Sequence, residues 1–543
     1  MRIPQVSAVL LCGAFLVQGI FLIQETSPTA DEIPFHMVNG YAYLRTHDYR
    51  MSPANPAFLR EWMALPWLFI RPKLDLEKKS WAEADSIPFA HEFFYQDNRS
   101  LANRLLYSAR FMILLLGFAL GVLIYGWSRR LYGEWGGVLS LALYAFCPNF
   151  LAHSSIAHTD VGVSFFSVLA AFFIWRYLEF SKPVDLWGTA AAWGFACAAK
   201  YNALIFGPVF LSILFLRRGF KISLKAAVLF AAVAPLIIWA SYGFEFKPLL
   251  AGGVPRVGEK LGYVAAISDK LFAGNEALKE SLEAAALHRP IPAPTYLLGI
   301  AGNLRSHRAP YRHYAFGHWT TATQWYFYLI SFLLKMTLPF LLLFVIRAFF
   351  ILKIGTPSRN DDWVILVPTA AVFLMTCFDS TAIGVRYLFP VIPLLFVWVG
   401  GLARLAERSA GWAKGLAAAA ALQFLTAAAA FPNDLSYFNP VAGVLGGGWR
   451  YVRGSDADWG QGLKALARYM REKNIPTVTL RHFGPADPSF YGIHTEPLTE
   501  SDSQAPSGKF YAISLFYLEH VEWSQKIKPT AVVGGSIFVY DFR

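Results

Sequence analysis

Residues 108–127 read SARFMILLLGFALGVLIYGW, twenty residues followed after Ser128 by the basic pair Arg129 and Arg130. As a helix rising 1.5 Å per residue, such a run covers the roughly 30 Å of hydrocarbon in a bilayer. Ten more apolar runs lie near 5–24, 136–153, 161–178, 186–199, 202–217, 224–243, 325–347, 363–378, 387–405 and 412–431. The run at 5–24 exceeds the usual apolar stretch of a cleaved signal peptide and reads as a span. Those at 186–199 and 202–217 are short, with only Lys200 and Tyr201 between them. The alanines 417–421 suit close helix packing in lipid. The 543-residue chain is 55% hydrophobic and 15% charged. With a mean hydropathy of +0.40, it carries more apolar surface than a water-soluble globule hides.

The formal charge of +12 raises the question of nucleic acid. From Pro432 onward, however, 11 Lys and Arg balance 11 Asp and Glu, so the excess lies among the apolar runs. Counting from Arg2, alternate loops hold 15 basic residues against six acidic ones. That alternation sets topology. It predicts a cytoplasmic N-terminus, and a neutral C-terminal region argues against a nucleic-acid partner. Cys12, Cys147, Cys197 and Cys377 have neither disulfide nor zinc spacing and read as small buried hydrophobes.

The expected fold is an all-α polytopic membrane domain of about eleven transmembrane helices over 1–431. Its exterior pieces are 25–107 and 243–324, and a small soluble α/β domain follows, exterior, over 432–543. Within the first piece, 58–70 is amphipathic and suits the membrane interface. In the last domain, 460–473 has helical spacing, while 477–483, 510–516 and 531–540 read as strands.

Topology gathers charge on the exterior face. Asp31 and Glu32 follow the first span, Asp160 ends the loop after the third, Lys200 lies in the next exterior turn, and Arg386 opens the tenth. Lys335 lies at membrane depth, where an ionisable group needs a partner. Each has a plainer reading as well. Asp160 suits an N-cap, Lys200 and Arg386 could snorkel, and Lys335 could form a structural pair. The loop basics could be a solvated face, His153 and His158 read as local hydrogen-bonders, and Asp456 and Asp458 as caps of the helix that follows.

These residues stand in motifs. Asp31-Glu32, Asn55-Pro56, His153-Ser154-Ser155, Thr159-Asp160, Ala199-Lys200-Tyr201-Asn202, Lys335-Met336-Thr337-Leu338-Pro339, Gly384-Val385-Arg386-Tyr387 and Gly454 to Gln461 follow in order. Together they resemble the lipid-phosphate-dependent glycosyltransferases of the GT-C fold. The branch they suggest holds the protein O-mannosyltransferases and the transferase that adds aminoarabinose to lipid A (family 39 and relatives). Ala57 departs from it, since a second proline often follows Pro56 there. The resemblance implies Asp31 as general base, with Asp160 in the catalytic set and Glu32 able to share the role. It implies Lys200, Lys335, Arg386 and Tyr387 at the donor phosphate, and Asn55, Arg308, Arg312 and His313 as a substrate loop. The expected activity is inverting transfer of a sugar from a polyprenyl-phosphate donor to an exterior protein, lipid or glycan. A flippase of lipid-linked sugars, or a ligase using a lipid pyrophosphate, is the other reading of the same spans. No cofactor is expected; some relatives use a divalent metal, but no carboxylate or His spacing here demands one.

Overall fold

The structure is a computed structural model that describes residues 3–249, 284, 288–308, 312–350, 359–444 and 447–543. All eleven expected apolar runs fall on helix. Six helices are long and apolar enough to cross a membrane: Ile3–Glu25, Arg99–Tyr132, Asp160–Phe180, Tyr201–Arg218, Phe220–Ala240 and Ala410–Ala430. Two further runs are bent pairs, Glu134–Ala145 with Pro148–Ser154 at 67° and Phe327–Lys335 with Leu338–Phe349 at 115°. The described residues therefore hold six such spans, or eight if each pair is one, rather than the eleven expected. The remaining three runs fall short for visible reasons. Pro183–Ala199 has 17 residues, Ile392–Ala406 is shorter still, and Arg359–Thr376 opens on Arg359, Asp361 and Asp362. Large apolar side chains face outward along these helices, Leu10 at 67% and Val228 at 65% exposure among them. Such faces need lipid, and the chain is a multi-pass integral membrane protein.

Single glycines turn the chain between helices. Gly133 (φ 83°) and Gly219 (φ 84°) stand between one helix and the next, a conformation that costs glycine little. Arg129, Arg130, Arg217 and Arg218 occupy the last turns before them, where cations offset the helix dipole.

The break at Met336 and Thr337 is held from elsewhere. A helix end leaves carbonyls without partners, and two asparagine side chains supply them. Asn149 Nδ2 donates to Lys335 O at 2.6 Å. Asn439 Nδ2 donates to Leu333 O at 2.6 Å and Met336 O at 2.9 Å. The next helix starts with Pro339 in its first turn, a position proline favours.

Two smaller expectations gain detail. In 58–70, Trp67 is buried and donates to Leu105 O at 3.1 Å, while Trp62 donates to Met112 O at 2.9 Å. Both indoles dock on the long Arg99–Tyr132 helix, and Phe69 alone faces outward, at 88% exposure. The alanine-rich Ala410–Ala430 helix buries only Leu416, Ala419, Gln423 and Ala427. Small residues pack closely instead at Gly400, where an added Cβ would lie 2.2 Å from Ser140 Oγ and 2.3 Å from Ser128 Oγ.

Short strands pair within the second long loop, β1 (Phe246–Pro248) with β2 (Pro290–Pro292) and β3 (His313–Ala315) with β4 (His318–Thr320). The C-terminal region forms a five-stranded sheet from β5 (Val478–Arg481), β6 (Thr495–Pro497), β7 (Phe510–Ser514), β8 (Ala531–Val533) and β9 (Ile537–Asp541). Their order is β6-β5-β7-β9-β8. β5 runs parallel to β6 and β7, and β9 antiparallel to β7 and β8. The helix Leu463–Glu472 lays Leu463, Leu466, Ala467 and Met470 against this sheet, a stripe at helical spacing. The strand expected over 531–540 is a hairpin, because Gly534 (φ 60°) and Gly535 (φ 66°) reverse the chain.

If Gly400 sets the approach of these helices, Gly400→Leu overpacks the contact and should destabilise by about 1–3 kcal/mol. Thermal unfolding in detergent would show an earlier melt. An unchanged melt would mean that the helices can part there without cost.

Candidate active site

Asp160 is the organising residue. It is the first residue of the helix Asp160–Phe180, whose N-cap is Thr159 rather than Asp160. Its carboxylate is 1% exposed and gathers cations. Lys200 Nζ donates to Oδ1 at 2.5 Å, His158 Nδ1 lies 2.8 Å from Oδ2, and Arg386 Nη1 lies 3.5 Å from Oδ2. Lys200 is the extended residue that follows the helix Pro183–Ala199. Arg386 sits in the 3-10 turn Val385–Leu388. Neither snorkels, with side chains only 12% and 10% exposed.

Arg386 Nη1 is 3.2 Å from His158 Nε2. A guanidinium can only donate, so Nε2 accepts and the imidazole proton lies on Nδ1, facing Asp160. His158 is thus a part of the centre rather than a local hydrogen-bonder, which the sequence reading missed. His153 does bond locally, with Nδ1 2.9 Å from Asn149 O. The indole of Trp459 completes the group. Its ring centre is 4.3 Å from Arg386 Cζ and 4.8 Å from the His158 ring.

Asp31 lies on the open side of this cluster. Its side chain keeps 28% exposure, and Oδ2 is 3.7 Å from His158 Nε2, too long for a hydrogen bond. Burial pushes the Asp31 carboxyl up, but the His158 contact and the Arg386 charge outweigh it and hold it below the usual carboxylate value. Asp31 and Asp160 against Lys200 and Arg386 make two charges of each sign.

Glu32 does different work from its neighbour. Its side chain is wholly buried, with Arg110 Nε 2.7 Å from Oε1 and Nη2 2.8 Å from Oε2. Thr29 N and Ala157 N donate to the same carboxylate at 2.6 and 2.7 Å. Arg110 also donates to Ile23 O, Thr26 O and Ser27 O. The pair pins the turn that carries Asp31 and the residue before His158. With both oxygens occupied, Glu32 is not placed to share the base role. Its partner Arg110 was legible as a charge inside an apolar run.

Lys335 also departs from expectation. It is 1% exposed and donates to Asp456 O at 2.6 Å and Leu435 O at 2.9 Å, so backbone carbonyls partner it. Asp456 and Asp458 do not cap the helix Leu463–Glu472, whose N-cap is Gly462. Asp456 accepts from Ser331 Oγ at 2.6 Å and Val385 N at 3.0 Å. Asp458 accepts from Gly460 N and Phe516 N at 3.1 Å each, and from the Ser514 hydroxyl.

Lys200 and Tyr387 line a cavity of about 480 Å³ that Asn55 also lines. Asn202, Asn303 and Asp379 add polar groups, and Leu204, Ile205, Ile300, Leu304, Met375 and Phe378 form an apolar wall. The Lys200 ammonium lies 4.7 Å from the Tyr387 ring centre. Of the expected substrate loop, the Arg308 side chain falls outside the described residues. Arg312 stacks on Trp319 at 5.3 Å, and His313 is buried in β3.

Asp31, His36 and His158 each offer a ligand atom within 4.8 Å of the others. Both His36 ring nitrogens lack a hydrogen-bond partner among the described residues. Burial, and then nearby positive groups, hold that imidazole well below its usual pKa and so neutral. The donor set fits a divalent cation, but the guanidinium beside His158 Nε2 opposes one.

Comparison with known proteins supports the resemblance read from the sequence. Residues 87–239 match the model of a family described as dolichyl-phosphate-mannose-protein mannosyltransferase. That stretch carries His158, Asp160 and Lys200, while Asp31, Arg386 and Trp459 lie outside it. No protein with a curated description matches the chain. Among solved structures, ArnT from Cupriavidus metallidurans bound to undecaprenyl phosphate is similar at 11% identity and a TM-score of 0.49, covering 98% of this chain and 97% of its own. The archaeal oligosaccharyltransferase AglB from Archaeoglobus fulgidus, in complex with an inhibitory peptide and a dolichol-phosphate, is similar at 12% identity and a TM-score of 0.42. That match covers 85% of this chain and 58% of AglB.

Removing Arg110 would leave Glu32 buried without its partner. Arg110→Met should destabilise by about 3–5 kcal/mol, and adding Glu32→Gln should recover part of the loss. Melting of the two variants beside the parent checks this. A single variant that melts like the parent would remove the pair from any positioning role.

Proposed function

We propose that this protein is an integral membrane glycosyltransferase that moves a sugar from a polyprenyl phosphate to an exterior acceptor. One observation supports it above the rest: a half-open carboxylate, Asp31, stands beside buried cations, one of which lines an apolar-walled cavity. A polyprenyl phosphate needs that combination, with a lipid-compatible wall and fixed positive charge for its head.

In this reading the donor phosphate lies against Lys200 and Arg386, with Tyr387 beside it. The acceptor hydroxyl oxygen attacks the anomeric carbon as the bond from that carbon to the phosphate oxygen breaks. The electron pair leaves with the polyprenyl phosphate, whose growing charge the two cations stabilise. The hydroxyl proton passes to Asp31. One displacement inverts the anomeric configuration. Asp160 acts as the resident counter-ion of the cations, and Glu32 and Lys335 act through the backbone. Donor phosphate drawn to Arg386 offsets a charge that now lowers Asp31, so donor binding raises the basicity of the base. No metal takes part. A flippase would need the cavity and its cations but has no use for an exposed carboxylate beside them.

The active face, the loops 25–107 and 243–324 and the region 432–543 lie outside the bacterial inner membrane in this reading, with the N-terminus cytoplasmic. The basic turns at Arg129 and Arg217 support that orientation. A cysteine placed at Ser501 should react with an impermeant thiol reagent in intact spheroplasts, and one at Arg217 should not. The reverse pattern would invert the topology and remove the site from the exterior.

Transfer from a polyprenyl-phosphate sugar should proceed in detergent, without two compartments, and survive EDTA. Asp31→Asn should slow it by about 10²- to 10⁴-fold, with affinity for polyprenyl phosphate retained. Asp31 must be ionised to act and its pKa in the free protein lies below the usual 3.8. The acid limb of kcat/KM should therefore fall below that value, and the limb of kcat, which reports the donor-bound state, should lie at higher pH. Near-parent turnover in Asp31→Asn would move the base elsewhere, and loss of transfer on chelation would restore a metal at Asp31, His36 and His158.

A further inference from the structure

Arg386 is held by a segment far away in sequence. Gly384 (φ 104°) lies against Asp456, where an added Cβ would meet the carboxylate at 2.5 Å. That close approach lets Asp456 accept Val385 N at 3.0 Å, which fixes the turn just ahead of Arg386. Asp456 is itself held on both sides. Ser331 Oγ donates to its carboxylate at 2.6 Å, and Lys335 Nζ to its carbonyl at 2.6 Å. Three residues on, Trp459 lies beneath the guanidinium at 4.3 Å. Its backbone is fixed in turn, since Ala30 N donates to Trp459 O at 2.8 Å and Trp459 N donates to Gln461 Oε1 at 2.8 Å.

The stack has a physical purpose. Asp160 lies 3.5 Å from Arg386 Nη1, and a mobile guanidinium would turn its fork onto that carboxylate in a bidentate pair. A planar ring beneath it fixes the plane of the guanidinium and directs its edge. Arg386 Nε is buried and has no hydrogen-bond acceptor among the described residues. An unmet donor of this kind is costly and is supplied when an anion arrives.

We propose that Asp456 and Trp459 are positioning residues for Arg386, the first fixing its backbone and the second its guanidinium plane, with Lys335 locking Asp456. The segment 454–461 thereby completes the site from the C-terminal unit. This rests on the reading of Arg386 as a phosphate-binding cation, and it gives the buried charge of Lys335 a role that needs no direct contact with donor.

The test uses the full chain in detergent with polyprenyl phosphate as probe. Trp459→Ala should weaken its binding by about tenfold, the scale of a desolvated cation–π contact, while Trp459→Phe stays near the parent. The double variant Trp459→Ala, Arg386→Gln should bind no more weakly than Arg386→Gln alone. Losses that add, or an unchanged affinity in Trp459→Ala, would overturn the proposal. Hydrogen exchange without any ligand reads the backbone half. Asp456→Ala and Lys335→Met should speed exchange in a peptide spanning 383–389 while β7 keeps its protection. Unchanged exchange there, or equal loosening of β7, would overturn it. Should the parent fail to bind polyprenyl phosphate, the donor reading falls, and the exchange result alone still decides whether the clamp exists.

Discussion

A carboxylate cannot stay ionised in an apolar interior unless its charge is met there. Asp160 is met by Lys200, Arg386 and the Nδ1 edge of His158, and the surrounding architecture exists to bring those three groups to one point. Lys200 arrives because the helix Pro183–Ala199 ends one residue before it, and Arg386 because Gly384 allows a turn in contact with Asp456. His158 arrives because Ala157 N is tied to Glu32. Two carboxylates and two cations leave the group balanced. Such a balance is easily disturbed by an incoming anion, a property that suits the proposed uptake of a donor phosphate.

Around this centre, two apolar helix pairs are bent rather than continuous. The pair Phe327–Lys335 and Leu338–Phe349 bends by 115°, freeing carbonyls that Asn149 and Asn439 then satisfy. Irregular backbone at membrane depth is tolerated where protein covers it. The break also leaves Lys335 within reach of Asp456 and Leu435.

Hydropathy is a local property, so every helix that follows an apolar run was legible in the sequence. The two bends were not, since the side chains that take up their freed carbonyls, Gln423 at the first and Asn149 and Asn439 at the second, are mostly distant in the chain. Charge alternation placed Asp31, Asp160, Lys200 and Arg386 on one face, and the structure joins them through His158. What sequence could not assign was the division of labour between neighbours. Asp31 and Glu32 differ only because Arg110, from the helix beginning near residue 102, meets one and not the other. His158 read as a local hydrogen-bonder because nothing in its surroundings in sequence announces Arg386 or Trp459. In the C-terminal region a single strand over 531–540 was expected because its apolar residues are continuous. Adjacent glycines, rather than hydropathy, split it into β8 and β9.

The pairing of residues 27–30 with 459–461 carries a consequence for biosynthesis. Ser27 and Gly460, joined by a 3.1 Å hydrogen bond, are separated by 433 positions. Chains fold from the N-terminus as they are made, so the first span and the loop bearing Asp31 are in place long before their partner is translated. Until residues 454–461 emerge, Arg386 has neither its tryptophan nor its fixed turn, and a nascent chain already threaded through the bilayer has an incomplete centre. Assembly is thus ordered in time, with a segment synthesised late acting as the keystone.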